Sequence, residues 1–186
     1  MAGESVLLAI DAAGQALSSL GVSYALIGGA ALPAWGRIRA TADADILVAL
    51  PWSKASYLRI VEGLRGAGFA HLERADRKHL EDKTVLHFWF PLREHGYSIR
   101  LDIIVAQGAR YDEIIQRCSI RKIDGLTVRV ASCEDLVLLK LAAGRPIDRA
   151  DAGELLTINS STIDRAYLED RASELGLTNE LREVLE

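Results

Sequence analysis

Val6, Ile10, Ala13, Leu17 and Leu20 recur at intervals of three and four residues, which is one face of an amphipathic helix. Gly21 closes that helix in the manner of a C-cap. Tyr24 to Ile27 is a short β-like run that passes directly into Gly28-Gly29. Ala30 to Trp35 reads as a short helix, with Pro33 tolerated in its first turn. Ala44 to Leu50 is a strand stopped by Pro51, and Ser53 N-caps a helix running to about Arg65 with Tyr57, Leu58, Val61 and Leu64 on its apolar side. Ala70 to Thr84 is charged and weakly periodic, a β-turn-β excursion or a loop. Val85 to Pro91 is aromatic and β-prone. From Ser98 to Val105 the alternation is clean: Ile99, Leu101, Ile103 and Val105 take one face, Arg100 and Asp102 the other. Ile120–Ile123 and Leu126–Val130 flank Asp124-Gly125, a hairpin signal.

Beyond Val130 the period changes. Ser132 followed by Asp135 opens a helix, and the chain stays helical in character to Glu186, punctuated at Gly144-Arg145-Pro146 and near Asn159 to Thr162. The pattern predicts an α/β (α+β) protein with a mixed sheet flanked by helices. It divides into a core over 1–130 and a C-terminal helical segment over 131–186 that packs on it.

Composition changes this picture little. The chain of 186 residues is 49% hydrophobic and 26% charged, an ordinary globular profile. A net charge of −4 excludes a broad basic nucleic-acid surface but leaves a local cluster such as Arg37 and Arg39. Cys118 and Cys133 make neither a disulfide framework nor a Cys-based zinc site, which suits a reducing, cytoplasmic location. No apolar run approaches the roughly 20 residues of a membrane helix, and Met1 to Ser5 has no basic n-region, so neither a span nor a secretory signal is expected.

The candidate chemistry begins at Thr41-Ala42-Asp43-Ala44-Asp45-Ile46. Residues two apart on a strand point the same way, so Asp43 and Asp45 present two carboxylates on one face. Two such charges repel unless a cation sits between them, and oxygen ligands suit Mg²⁺. The alternative is a strand start with solvated acids, although Asp is depleted in strands. Gly28-Gly29, between a strand and a helix, lets backbone N–H groups approach an anion, or is simply a tight turn. Asp102 stands alone in an apolar run, where an acid is costly unless paired or metal-bound. It is a third metal ligand or a general base, or else a partner for Arg100 or another buried base. Lys140, surrounded by Leu136 to Ala143, needs an anion if buried. A triphosphate, Asp102 or Asp45 would serve, and snorkelling to the surface is the other outcome. Arg145 could reach a phosphate or pair with Asp148 or Asp151. Arg39 and Thr41 lie just before the acids and line their site or shape the turn. His71, His79, His87 and His95 read as structural or solvated. Trp35, Trp52 and Trp89 read as packing residues, one of which could stack on a base.

Three segments together resemble a known family: Tyr24 to Ala31 around Gly28-Gly29, Arg39 to Val48 around Asp43 and Asp45, and Leu101-Asp102-Ile103-Ile104. They are similar to the nucleotidyltransferase superfamily related to DNA polymerase β, and within it to the AbiEii-type toxin nucleotidyltransferases. The stretch Glu134 to Asp151, with Lys140, Arg145, Asp148 and Asp151, is similar to that group's Lys-Arg-Asp-Asp helix, with Ile147 departing where relatives often carry a basic residue. The resemblance covers about Tyr24 to Leu156. It implies the nucleotidyltransferase fold and transfer of a nucleoside monophosphate from an NTP such as ATP to a hydroxyl of tRNA, protein or a small molecule, with Mg²⁺ or Mn²⁺. It implies Asp43, Asp45 and Asp102 as metal-binding catalytic acids, and Gly28, Gly29, Arg39, Thr41, Lys140 and Arg145 as nucleotide-binding residues. A toxin–antitoxin role would bring an antitoxin partner. The competing readings are a non-catalytic binding module of the same fold, and an antibiotic-modifying nucleotidyltransferase.

Overall fold

The computed structural model describes residues 2–71, 78–80, 82–92 and 96–185. Helix α1 (Ala2–Ser19) leads into β1 (Tyr24–Ile27). The next segment is not one helix. A single α-turn, α2 (Gly28–Ala31), gives way to a 3-10 turn at Leu32–Trp35, because Pro33 can donate no hydrogen bond to continue the α ladder. Strand β2 (Asp43–Ala49) and helix α3 (Lys54–Gly66) follow. Ser53 caps α3 through a reciprocal box in which its side chain accepts from the Ser56 N–H and Ser56 accepts from the Ser53 N–H. Then come β3 (Ala70–His71), β4 (Lys78–Leu80), β5 (Lys83–Leu92), β6 (Tyr97–Ala106) and α4 (Ala109–Gln116), a helix the apolar periodicity did not announce. The hairpin β7 (Ser119–Ile123) and β8 (Leu126–Val130) turns at Asp124-Gly125, both with positive φ (46° and 89°), as the sequence signal predicts. Helices α5 (Cys133–Ala143), α6 (Pro146–Ile158), α7 (Arg165–Glu174) and α8 (Thr178–Leu185) complete the described chain. Ser132 caps α5 by accepting from the Asp135 N–H, and its hydroxyl donates to the Asp135 carboxylate.

Among the described residues the strands form one mixed sheet in the order β3-β5-β6-β2-β1-β8-β7, with β4 paired to β5. The core is continuous, running from Ile10 and Leu17 of α1 through Leu26, Ile46, Leu101 and Ile103 of the sheet to Val137 and Leu155 of the later helices. The pairing of β2 with β6 positions the site. These strands are parallel, and their register sets Asp43 beside Arg100 and Asp45 beside Asp102. Strand β5 runs antiparallel on the other side of β6, placing His87 opposite Asp102 and Trp89 opposite Arg100. Partners in register share a face of the sheet, so His87, Asp102 and Asp45 form one row and Trp89, Arg100 and Asp43 the next. No described helix is long and apolar enough to cross a membrane.

Candidate active site

The acids gather where β1 ends. Gly28 has φ +68°, a conformation that side-chained residues rarely adopt, and a Cβ there would lie 2.0 Å from Oδ2 of Asp45. The absence of a side chain at Gly28 is therefore what makes room for the Asp45 carboxyl. At Gly29 a Cβ would sit 2.9 Å from both Nη2 of Arg39 and Oγ1 of Thr41. Thr41 in turn donates to Oδ1 of Asp43 at 3.0 Å. The two glycines, Arg39, Thr41, Asp43 and Asp45 thus form one contiguous surface. Gly29, Arg39 and Thr41 also border a cleft of about 370 Å³ whose apolar wall includes Val6, Ile10 and Ile38. Gly28→Ala is expected to displace Asp45. A loss of stability of about 1–3 kcal/mol from the left-handed backbone, read in urea unfolding, should accompany a large fall in activity.

Asp45 carries the strain of the cluster. Burial pushes its carboxyl up, Asp43 and then Asp102 push it further, and Lys140 and Arg100 offset only part, leaving it at about 7. Asp102 is nearly buried and already paired. Arg100 grips it with two bonds, Nε to Oδ1 at 2.9 Å and Nη2 to Oδ2 at 2.7 Å, and Nδ1 of His87 lies 2.6 Å from Oδ1. The sequence alternative of an Arg100 partner therefore describes this geometry. His87, read from sequence as structural or solvated, sits within the site. Its neighbour in the ladder depends on the β5–β6 register, which no local pattern supplies. Among the described residues no three His, Cys, Asp or Glu groups are already drawn together at metal-binding distance. The acids nevertheless fit a divalent cation: three carboxylates converge on adjacent strands, and the one least willing to ionise is the one a cation would relieve.

A second wall comes from the helices. Lys140 is 5% exposed, and its anions are neither Asp45 nor Asp102 but a pair on α6: Nζ donates to Oδ1 of Asp148 at 2.9 Å and to Oδ2 of Asp151 at 2.8 Å. Asp148 and Asp151 are three residues apart, hence on one helix face, and fully buried. Burial alone would raise both. Hydrogen bonds from Arg145 and Lys140 to Asp148, and from Lys140 and Arg37 to Asp151, outweigh it and hold both below the usual carboxylate range. Arg145 pairs with Asp148, as the sequence alternative had it, while its side chain stays 69% exposed. Arg37 bonds Asp151 through Nε at 2.7 Å and also meets Glu154, and Nε of Arg39 lies 3.4 Å from Asp151. Four cations (Arg37, Arg39, Lys140 and Arg145) thus meet three anions. The cluster ties the segment before β2 to α5 and α6, and it borders Asp45, whose carboxyl feels Lys140. Arg37 was visible in the sequence only as a basic neighbour of Arg39; its partner lies 114 residues away.

The three tryptophans separate. Trp35 donates to the Ala131 carbonyl at 3.0 Å and lies under the Arg121 guanidinium, and Trp52 packs near Tyr57. Trp89 is 37% exposed on the acid face.

The sequence matches no family model and no curated protein. Its three-dimensional form does have counterparts among solved structures. An antigenic nucleotidyltransferase-like protein from Paracoccidioides brasiliensis superposes with a TM-score of 0.59 at 16% identity, over 98% of this chain and 94% of that one. ANT(2″)-Ia, solved in complex with adenylyl-2″-tobramycin, gives 0.58 at 17% identity over 89% and 97%. JHP933 from Helicobacter pylori gives 0.50 at 14% over 96% and 91%. Identities this low speak for the fold, and the agreement spans nearly the whole of both chains: the α/β architecture built here around Gly28, Asp43, Asp45 and Asp102 is the nucleotidyltransferase fold.

Proposed function

We propose that this protein is a metal-dependent nucleotidyltransferase that moves a nucleoside monophosphate from an NTP to a hydroxyl acceptor, releasing pyrophosphate. The observation that carries the reading is the convergence of Asp43, Asp45 and Asp102 on one sheet face over a glycine whose missing side chain makes room for Asp45. Asp43, Asp45 and Asp102 would hold Mg²⁺ or Mn²⁺, which supplies charge neutralisation for the phosphates and acidifies the attacking hydroxyl. The chain's own residues do the rest. Arg39 and Thr41, beside Gly28-Gly29 and next to Asp43, would meet the nucleotide's phosphates. Lys140 and Arg145 present positive charge toward the same acids from α5 and the start of α6, with Asp148 and Asp151 fixing them in place. Alternatively, Asp102 would accept the acceptor's proton instead of holding metal, and in either role Arg100 and His87 hold its carboxyl in position.

The resemblance to AbiEii-type toxins adds tRNA or a protein as acceptor and an antitoxin as partner. The likeness of form to ANT(2″)-Ia supports a second reading, transfer to an antibiotic. Incubation of the pure protein with labelled NTPs, Mg²⁺ and either tRNA, cell extract or an aminoglycoside tests all of these. Transfer that disappears in Asp45→Ala is the expected result. No transfer to any acceptor, together with unchanged NTP and metal binding in Asp45→Ala, would overturn the proposal and leave a binding module.

A further inference from the structure

None of the three acids lines the cleft of about 370 Å³ that Gly29 borders, a volume within the range of small-molecule sites. Four separate parts of the chain build its apolar wall: Val6, Leu7 and Ile10 from α1, Pro33 from the 3-10 turn, Ile38 from the segment before β2, and Ile123 from the end of β7. Val6, Ile10 and Ile123 form a buried floor, whereas Ile38 at the lip is 90% exposed. Covering that side chain is an apolar gain the chain by itself leaves unrealised. Among the described residues no lining side chain is aromatic, and the polar ones are Arg39, Thr41, Lys122 and Asp124. Such a wall offers a base no plane to stack on and suits an aliphatic body.

The charge of the cleft comes down to one residue. Lys122 and Asp124 offset each other, and the Thr41 hydroxyl is given to Asp43. Arg39 remains. In the ion cluster four cations share three anions, and Arg39 is the cation held most loosely. Lys140 and Arg37 bond Asp151 at 2.8 and 2.7 Å, while Nε of Arg39 stands 3.4 Å away, buried and without a hydrogen bond. Its one hydrogen bond among the described residues runs from Nη1 to the Ala40 carbonyl at 3.4 Å. The cleft thus joins aliphatic walls to a guanidinium with donors to spare, which is the complement of an apolar body carrying a single carboxylate.

We propose that this cleft is a regulatory site for a small aliphatic carboxylate, whose chain lies against Ile10, Ile38 and Ile123 and whose carboxylate meets Arg39. Arg39 also lies against Gly29 and Thr41, on the surface that carries Asp43. A carboxylate that holds this guanidinium therefore competes for it with a triphosphate, so occupation of the cleft weakens NTP binding. The coupling rests on the transferase reading, whereas binding in the cleft is measurable without NTP or metal.

The test is calorimetric titration of the full chain with octanoate, 1-octanol and octylamine, without NTP or Mg²⁺. Octanoate is expected to bind about tenfold or more tighter than octanol, the worth of one charge-assisted hydrogen bond, and octylamine more weakly than either. Ile38→Asp alters a side chain almost wholly in solvent, so the fold is kept, and it should weaken octanoate about tenfold or more. Arg39→Gln should bring octanoate down to the affinity of octanol. Saturating octanoate should raise the Kd of the parent for MgATP at least about fivefold, and MgATP should weaken octanoate by the same factor. Octanol binding as tightly as octanoate, or Ile38→Asp binding octanoate like the parent, overturns the proposal. So does a concentration-dependent dimer that Ile38→Asp disperses, because a second copy of the chain would then be what covers the cleft. An MgATP affinity that octanoate leaves unchanged overturns the regulatory role. If octanoate binds through Ile38 and Arg39 but MgATP does not bind at all, the transferase reading fails and the carboxylate site stands.

Discussion

Asp45→Asn is expected to remove transfer and, in metal-free buffer above pH 7, to raise the melting temperature. The two effects have one cause. Asp45 is half-buried beside Asp43 and Asp102, and desolvation together with their charge pushes its carboxyl up to about 7. A group whose folded pKa lies above its unfolded value binds more protons folded than unfolded between the two. Stability therefore falls as pH rises from about 4 to about 7, and the penalty is complete above 7. Converted at full value, the shift corresponds to about 4 kcal/mol as an upper bound, since neighbouring side chains and water relax around the charge. Asparagine keeps the shape and removes the charge, so part of that penalty returns, at about 2–4 °C of Tm per kcal/mol for a chain of this size. Mg²⁺ should raise the Tm of the parent, by an amount set by its concentration relative to Kd, and do much less for Asp45→Asn. Activity should drop at least about 100-fold, since loss of even an outer support of a metal ligand costs 10–100-fold. Thermal scans at pH 5 and pH 8, with EDTA or Mg²⁺, read all of this. An Asn variant that melts no higher than the parent at pH 8 without metal would sink the account of Asp45.

Lys140→Met carries the largest expected cost to the fold. The ammonium is the shared cation of two fully buried carboxylates. Removing it strands Asp148 and Asp151 with only Arg145, Arg37 and Arg39 at their edges, and breaking a buried pair in this way costs about 3–5 kcal/mol. The remaining arginines place the expectation at the lower end of that range. Both carboxyls are held below their ordinary range in the folded chain. Their contribution is therefore fully present above the unfolded pKa of about 4 and is lost as pH falls through the lower folded values. Without Lys140 their folded values rise, so acid unfolding begins at higher pH. Adding Asp151→Asn to Lys140→Met removes one stranded charge and should recover part of the loss. A cost below about 1 kcal/mol in urea unfolding at pH 7 would mean that the ion cluster is not what fixes α5 against α6.

This cluster also separates two roles that local pattern cannot. In sequence, a lysine in an all-apolar helix demands an anion but does not name it. The fold names Asp148 and Asp151, eight and eleven residues on, and brings Arg37 and Arg39 from the other end of the chain to the same pair. The four cations are thus held in place within the fold by Asp148, Asp151 and Glu154. His87 is the opposite case. It lies in an aromatic strand with nothing around it in sequence to mark it, and only antiparallel pairing to β6 sets it 2.6 Å from Asp102.

Much else was legible in the chain. The 3.6-residue periodicity of Val6 to Leu20, the Ser53 and Ser132 caps and the alternation through Asp102 are set by nearest neighbours along the backbone, and the structure has the elements they predict. The Asp124-Gly125 turn belongs with them, because only its own two residues decide whether positive φ is tolerable. The shared face of Asp43 and Asp45 follows from the same strand geometry, and Gly28 is demanded by a carboxyl only seventeen positions away. Strand order and register are of another kind. They are fixed by which apolar faces bury one another across the whole chain, and a slip of one residue would turn Asp102 away from Asp45. That pairing, and not any local pattern, decided that the third acid stands beside the first two, that Arg100 and His87 hold it, and that Trp89 lies exposed on the same face.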